Sequence, residues 1–139
     1  MDYIFNLNLD NKKRMEIITG REWTASDDKR VQKEGGIEHF GIDRTTLNEL
    51  IENNFVNLDD AQNDAPTIKA FTTFCDKYPD EEFEFIGYAV NPSRNDYRIS
   101  IEGLCCETYN RDLVVDFITT FKRADELRYD EEELYCWFD

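Results

Sequence analysis

The sequence predicts an α+β domain in which an antiparallel sheet, built from two hairpins, is covered by about three helices. Three observations lead there. Apolar residues alternate with polar ones over residues 2–9, 83–90 and 97–102, the period of a strand with one buried face, while over 44–55, 66–78 and 110–123 they recur at helical spacing. The two patterns come in clusters, not in the strict alternation of a parallel sheet with crossover helices. A length of 139 residues, 40% hydrophobic and 14% aromatic, supports one core and is short for two. We therefore read 1–139 as a single domain, with a near-neutral hairpin and loop over 1–42 and an acidic helix, helix, hairpin, helix and tail over 43–139.

Taken in order, Tyr3, Phe5, Leu7 and Leu9 alternate with Asp2, Ile4, Asn6 and Asn8, which gives a strand with one apolar face. Asn11 and the lysines after it form a turn. Met15, Ile17 and Ile18, within residues 14–19, then make a returning strand that stops at Gly20. Residues 21–41 read mostly as loop, with a helical turn around 27–33 and Trp23, Val31, Ile37 and Phe40 as single anchors. Asp43 is placed to cap a helix over 44–54 whose inner face holds Leu47, Leu50, Ile51 and Phe55. After a polar linker at 57–63, Pro66 suits the first turn of a second helix. Its inner face carries Ile68, Phe71, Phe74, Cys75 and Tyr78, and it ends before Pro79.

Phe83, Phe85, Gly87 and Ala89 face one way in the next strand, and Glu84, Ile86, Tyr88 and Val90 the other. The turn chemistry NPSRND leads to Tyr97, Ile99 and Ile101 alternating with Arg98, Ser100 and Glu102, which closes the second hairpin. Asn110 caps a third helix that carries Leu113, Val114, Phe117, Ile118 and Phe121 and ends near Arg123. The tail finishes with Leu134, Tyr135, Trp137 and Phe138, too apolar to leave in water, and reads as a final strand or turn tied onto the sheet.

The charge is lopsided. Residues 1–42 carry 8 acidic and 7 basic side chains and residues 43–139 carry 23 and 9, for a net charge of -15. Such a surface repels DNA, RNA and anionic membranes, which all require positive charge against phosphate, and it suits basic proteins or cations. No run of about 18 apolar residues could span a bilayer, and the start of the chain lacks the basic and apolar segments of a signal peptide, so a cytoplasmic protein is expected.

Catalytic chemistry finds little support. Cys75, Cys105, Cys106 and Cys136 lack the paired C-x-x-C spacing of a zinc site and read as buried or partly buried free thiols, although an even count permits two disulfides in an oxidising compartment. The single His39 has no nucleophile or metal company in sequence, and Gly35, Gly36 and Gly41 are not followed by the G-K-[ST] of a phosphate loop. No catalytic residue, metal or cofactor is expected. The acids gather instead at Asp59 and Asp60, at Asp80, Glu81 and Glu82, and at Asp130, Glu131, Glu132 and Glu133, all near element ends. One reading is solubility and helix-start electrostatics. Another is phosphate imitation, because duplex DNA carries one charge per about 3.4 Å along each strand, a spacing that carboxylates on a turn or strand edge approximate.

Two phrases, GYAVNPSRNDYRISIEGL and FITTFKRADELRYDEEELYCWFD, carry a likeness over residues 84–139. In them the chain resembles small acidic proteins without assigned function carried by plasmids, conjugative elements and phages of Gram-positive gut bacteria. The resemblance implies a protein of a mobile element in a bacterial host cell. Such elements also encode anti-CRISPR and anti-restriction inhibitors, several of which are DNA mimics. The leading expectation is thus a non-enzymatic inhibitor that binds a basic nucleic-acid-processing protein, a CRISPR effector nuclease or a restriction enzyme, and blocks its nucleic-acid-binding surface. Contact would come from Asp80, Glu81, Glu82, Asp130, Glu131, Glu132 and Glu133, with Tyr129, Tyr135 and Trp137 as aromatic anchors. The alternative is an accessory interaction module, open to homo-oligomers, that uses the exposed apolar side of the sheet. A hydrolase or deaminase would need a nucleophile with its base, a zinc-ligand pattern or a phosphate loop, none of which the sequence offers.

Overall fold

The computed structural model describes residues 9–139. Its strands are Ile37–Ile42 (β1), Phe83–Val90 (β2), Ile99–Glu107 (β3), Glu126–Asp130 (β4) and Glu133–Trp137 (β5), and they form one antiparallel sheet in the order β1-β2-β3-β5-β4. The helices are Leu9–Thr19 (α1), Ala25–Lys33 (α2), Arg44–Glu52 (α3), Ile68–Asp76 (α4) and Arg111–Thr120 (α5). The α+β class is as expected, and the three helices read from sequence are α3, α4 and α5. Asp43 and Asn110 cap α3 and α5 as anticipated, accepting from Thr46 N at 2.8 Å and Leu113 N at 3.2 Å. Among the described residues no helix is long and apolar enough to cross a membrane.

The N-terminal hairpin requires correction. Its first strand, residues 2–9, lies outside the described residues except for Leu9, which begins α1, and the supposed returning strand at 14–19 is part of the same helix. The helical period is present at Asn11, Arg14, Met15 and Ile18, but two of those inward positions are polar. Arg14 is buried because its guanidinium donates to the carbonyls of Val90 at 2.7 Å and Arg98 at 3.1 Å, and Asn11 donates to buried Asp28 at 2.7 Å. A hydrophobicity pattern cannot register inward groups of that kind. Residues 21–41 are likewise not mostly loop. The anticipated helical turn is the nine-residue α2, held by a capping box between Thr24 and Asp27. Gly35 and Gly36, with φ of 96° and 80°, then turn the chain into β1. The second helix begins at Ile68, so Pro66 precedes its first turn, and Thr67 supplies the cap, accepting from Ala70 N at 3.0 Å. The tail is a full hairpin, so the sheet's two hairpins are β2–β3 and β4–β5.

Strand parity decides which face is covered. Phe83, Phe85, Ala89, Ile99, Ile101, Leu104, Cys106, Leu134 and Cys136 turn toward the helices and merge with Met15, Leu47, Leu50, Phe71, Phe74, Leu113, Phe117 and Phe121 in one core. Burying each of the leucine, isoleucine, methionine and phenylalanine side chains among them contributes about 1.5–3 kcal/mol. Phe74 lies at the centre of the aromatic part, with ring centroids 5.1 Å from Phe121, 5.4 Å from Tyr78, 5.7 Å from Phe117 and 6.1 Å from Phe83. The β2–β3 register slips between Ile86 and Gly87. Here the strands approach so closely that a Cβ at Gly87 would lie 2.0 Å from the Ser100 carbonyl oxygen.

Candidate functional site

The register brings the ends of β2, β3, β4 and β5 together. Glu107 of β3 stands opposite Glu133 of β5, which in turn stands opposite Asp130 of β4, while Phe83 at the start of β2 pairs with Cys106. The start of β2 follows directly from residues 80–82, and the β4–β5 turn is made by residues 131 and 132. Two of the three acidic clusters read from sequence, 80–82 and 130–133, therefore meet at one end of the sheet, while Asp59 and Asp60 line a separate groove.

Thr108, buried just beyond β3, ties them to each other. Its hydroxyl donates to a carboxylate oxygen of Glu81, its amide donates to the carbonyl of Glu132 at 2.8 Å, and its own carbonyl accepts from the Tyr129 hydroxyl at 3.0 Å. Thr108 also holds the cap residue of α5, because its hydroxyl accepts the Asn110 amide at 3.0 Å. A β-branched residue at this junction holds both acidic segments and the following helix in one arrangement.

Beside Thr108 a groove of about 790 Å³ runs between the N-terminus of α3, the C-terminus of α4 and the strand ends. Seven carboxylates line it, those of Asp43, Asp76, Glu81, Glu82, Glu84, Glu107 and Glu133, against the single guanidinium of Arg44. Arg44 is itself paired with Asp76 at 2.8 Å. The potential is accordingly negative throughout, and field lines in such a cleft favour cationic groups. Cys105 and Cys106 also face the groove. Burial, together with the bond to Glu84 for Cys105, pushes that thiol up to about 12; burial and the nearby Glu81 and Glu107 carboxylates do the same for Cys106. Both thiols are thereby held toward the protonated form, which disfavours nucleophilic attack at neutral pH. All four cysteines are free thiols. Among the described residues no group of three or more His, Cys, Asp or Glu is arranged to hold a metal ion.

The sequence-derived site residues divide into two groups. Glu81, Glu82, Asp130, Glu131, Glu132, Glu133 and Tyr129 lie around the acidic end, with Glu81 and Glu132 half-buried and the others exposed; Asp80 is exposed on the approach to β2 and does not line the groove. Tyr135 and Trp137 point elsewhere. Parity in β5 sends Leu134 and Cys136 into the core and leaves these two aromatics half-buried on the open face of the sheet. Sequence reasoning missed Asp43, Asp76, Glu84, Glu107 and Thr108, because nothing local marks a cap aspartate, a strand-end glutamate or a threonine as neighbours of residues far away in the chain.

Glu131 and Glu132 both take left-handed backbone conformations, with φ of 49° and 65°. That is the geometry of a two-residue I′ hairpin turn, which asparagine and glycine adopt most easily. Two adjacent glutamates there add backbone strain to like-charge repulsion.

No protein-family model, curated protein or solved structure matches this chain.

Proposed function

We propose that this chain is a non-enzymatic inhibitor that binds a basic nucleic-acid-processing protein in the cytoplasm of a bacterial host, a CRISPR effector nuclease foremost, and occupies its nucleic-acid-binding surface as a DNA mimic. The observation that supports this reading is the convergence at Thr108. Carboxylates from two segments far apart in sequence, 80–82 and 130–133, are fixed side by side at one end of the sheet, on a turn and on strand ends that project into solvent. Long-range attraction to a basic groove would speed association, and salt would weaken it. Reversal of Glu131, Glu132 and Glu133 to lysine in a folded variant tests the proposal: the variant is expected to lose nuclease binding and protection of DNA from cleavage. Retained protection by that variant would remove these residues from the function.

A second reading, the self-associating accessory module, draws its support from α5 and not from the apolar sheet face that the sequence suggested. Tyr109, Val115 and Ile118 are 81%, 59% and 39% exposed at and along α5. Light scattering separates the two readings, since an apolar oligomer survives high salt whereas an electrostatic complex is screened.

A further inference from the structure

The open face of the sheet continues from the acidic end and has a chemistry of its own. One cross-strand row places Glu84, Cys105, Tyr135 and Arg128 side by side, and the next places Ile86, Gly103, Trp137 and Glu126. Gly103 puts no side chain between Ile86 and Trp137. The guanidinium carbon of Arg128 sits 4.2 Å from the centre of the Tyr135 ring, while its carboxylate neighbour Glu126 is 3.9 Å away, at the outer limit of an ion pair. For a cation over a ring 4.2 Å is close, so the stacking contact is the better formed of the two interactions that hold this exposed group. Glu126, opposite Trp137, and Glu133, two residues before Tyr135 on the same face, are exposed beside the aromatic rings, whereas the Glu84 carboxylate lies over Gly41 and accepts from Cys105.

This rim chooses the occupant. A second copy would set carboxylates against carboxylates between two chains of net charge -15, and a nucleic acid would set phosphates against them. A cationic protein segment complements both parts of the face. Of the two basic side chains, arginine fits better, because a planar, weakly hydrated guanidinium stacks on aromatic rings and forks to carboxylates, whereas an ammonium is a compact and strongly hydrated charge.

We propose that Tyr135 and Trp137, rimmed by Glu126 and Glu133, form an arginine-reading cradle for the basic partner, with Arg128 as an internal guanidinium that an incoming arginine displaces. The cradle rests on the reading of this chain as a binder of a basic protein surface. Calorimetric titration with a short oligoarginine peptide, and with oligolysine of the same length, tests it on the intact protein. Oligoarginine is expected to bind more tightly by about two- to fivefold, the fold-change for an exposed cation–π contact of about 0.5–1 kcal/mol. Arg128→Ala is expected to tighten oligoarginine binding by a similar factor. The control Arg123→Ala removes the same charge from an exposed position with no ring contact among the described residues, and should change binding less. Tyr135→Leu with Trp137→Leu, checked by circular dichroism, should abolish the preference for arginine. Equal affinity for the two peptides, or equal effects of Arg128→Ala and Arg123→Ala, overturns the cradle while leaving the basic-partner reading in place. Failure of both peptides to bind at low salt overturns the cradle and the basic-partner reading together.

Discussion

The amide of Thr108 donates to the carbonyl of Glu132 at 2.8 Å, so a residue that leaves β3 fixes the turn between β4 and β5. The same residue's hydroxyl reaches Glu81, and the two acidic segments are consequently held in one arrangement. Thr108→Val keeps the shape but removes the hydroxyl, leaving Glu81 and the Asn110 amide without that partner. Urea denaturation should show a loss of about 1–3 kcal/mol, and affinity for a basic target should fall although no charge has changed. Unaltered affinity would show that the alignment of the two acidic clusters does not matter.

Glu131 and Glu132 hold left-handed backbone at the hairpin tip. The double substitution Glu131→Asn with Glu132→Gly should raise stability by about 1 kcal/mol or more in urea and weaken binding to a basic partner at the same time. A variant that is more stable and binds equally well would mean that the strain does not serve the acidic tip.

Alkaline pH should destabilise the fold. The Tyr78 hydroxyl donates to Asp116 at 2.7 Å, and that carboxylate raises Tyr78 from its ordinary 10.0 to about 12; burial raises Cys75 and Cys136 from 9.0 to about 12. Each of these acids is held in its protonated form, so its contribution is fully present below the ordinary value and is lost as pH rises toward about 12. Asp116 behaves in the opposite sense. Lys77 at 2.7 Å and Tyr78, opposed by burial, hold it below its ordinary 3.8, so its contribution persists above that value and is lost on further acidification. The midpoint of urea unfolding should decline between pH 9 and pH 12, less steeply in Tyr78→Phe; a flat profile would contradict the assignment.

Phe74→Ala should cost about 3–5 kcal/mol, because the ring touches four other aromatics and the helix α4 that carries it cannot collapse inward without moving α5. Chemical denaturation measures this. A loss under about 1 kcal/mol would show that the aromatic cluster is not tightly packed.

The parts of this fold legible in the sequence are those whose buried faces are dominated by large apolar side chains. The helices at Leu47 and Leu50, at Phe71 and Phe74, and at Leu113 and Phe117, together with the alternation around Phe85, follow from spacing alone. Helix α1 is hidden because its inward positions include Asn11 and Arg14, and β1 because Glu38 takes the covered face opposite Ala89 while Ile37 takes the open one, which reverses the expected alternation. The candidate site is legible in kind and not in assembly. Acidic runs at 80–82 and 130–133 are plain in the sequence, but their meeting depends on the β3–β5 register and on Thr108, and the placement of Tyr135 and Trp137 on the opposite face from Leu134 depends on strand parity.

The most direct test of the central claim is competition. Fluorescence anisotropy of labelled duplex DNA bound to a purified CRISPR effector complex would be followed as this protein is added, at low and at high salt. The account predicts that the protein displaces the duplex, that excess duplex displaces the protein in return, and that Glu82→Gln, Asp130→Asn, Glu131→Gln and Glu133→Gln combined abolish the exchange in a folded chain. Simultaneous binding of protein and duplex to the effector, or full displacement by the neutralised variant, would contradict it.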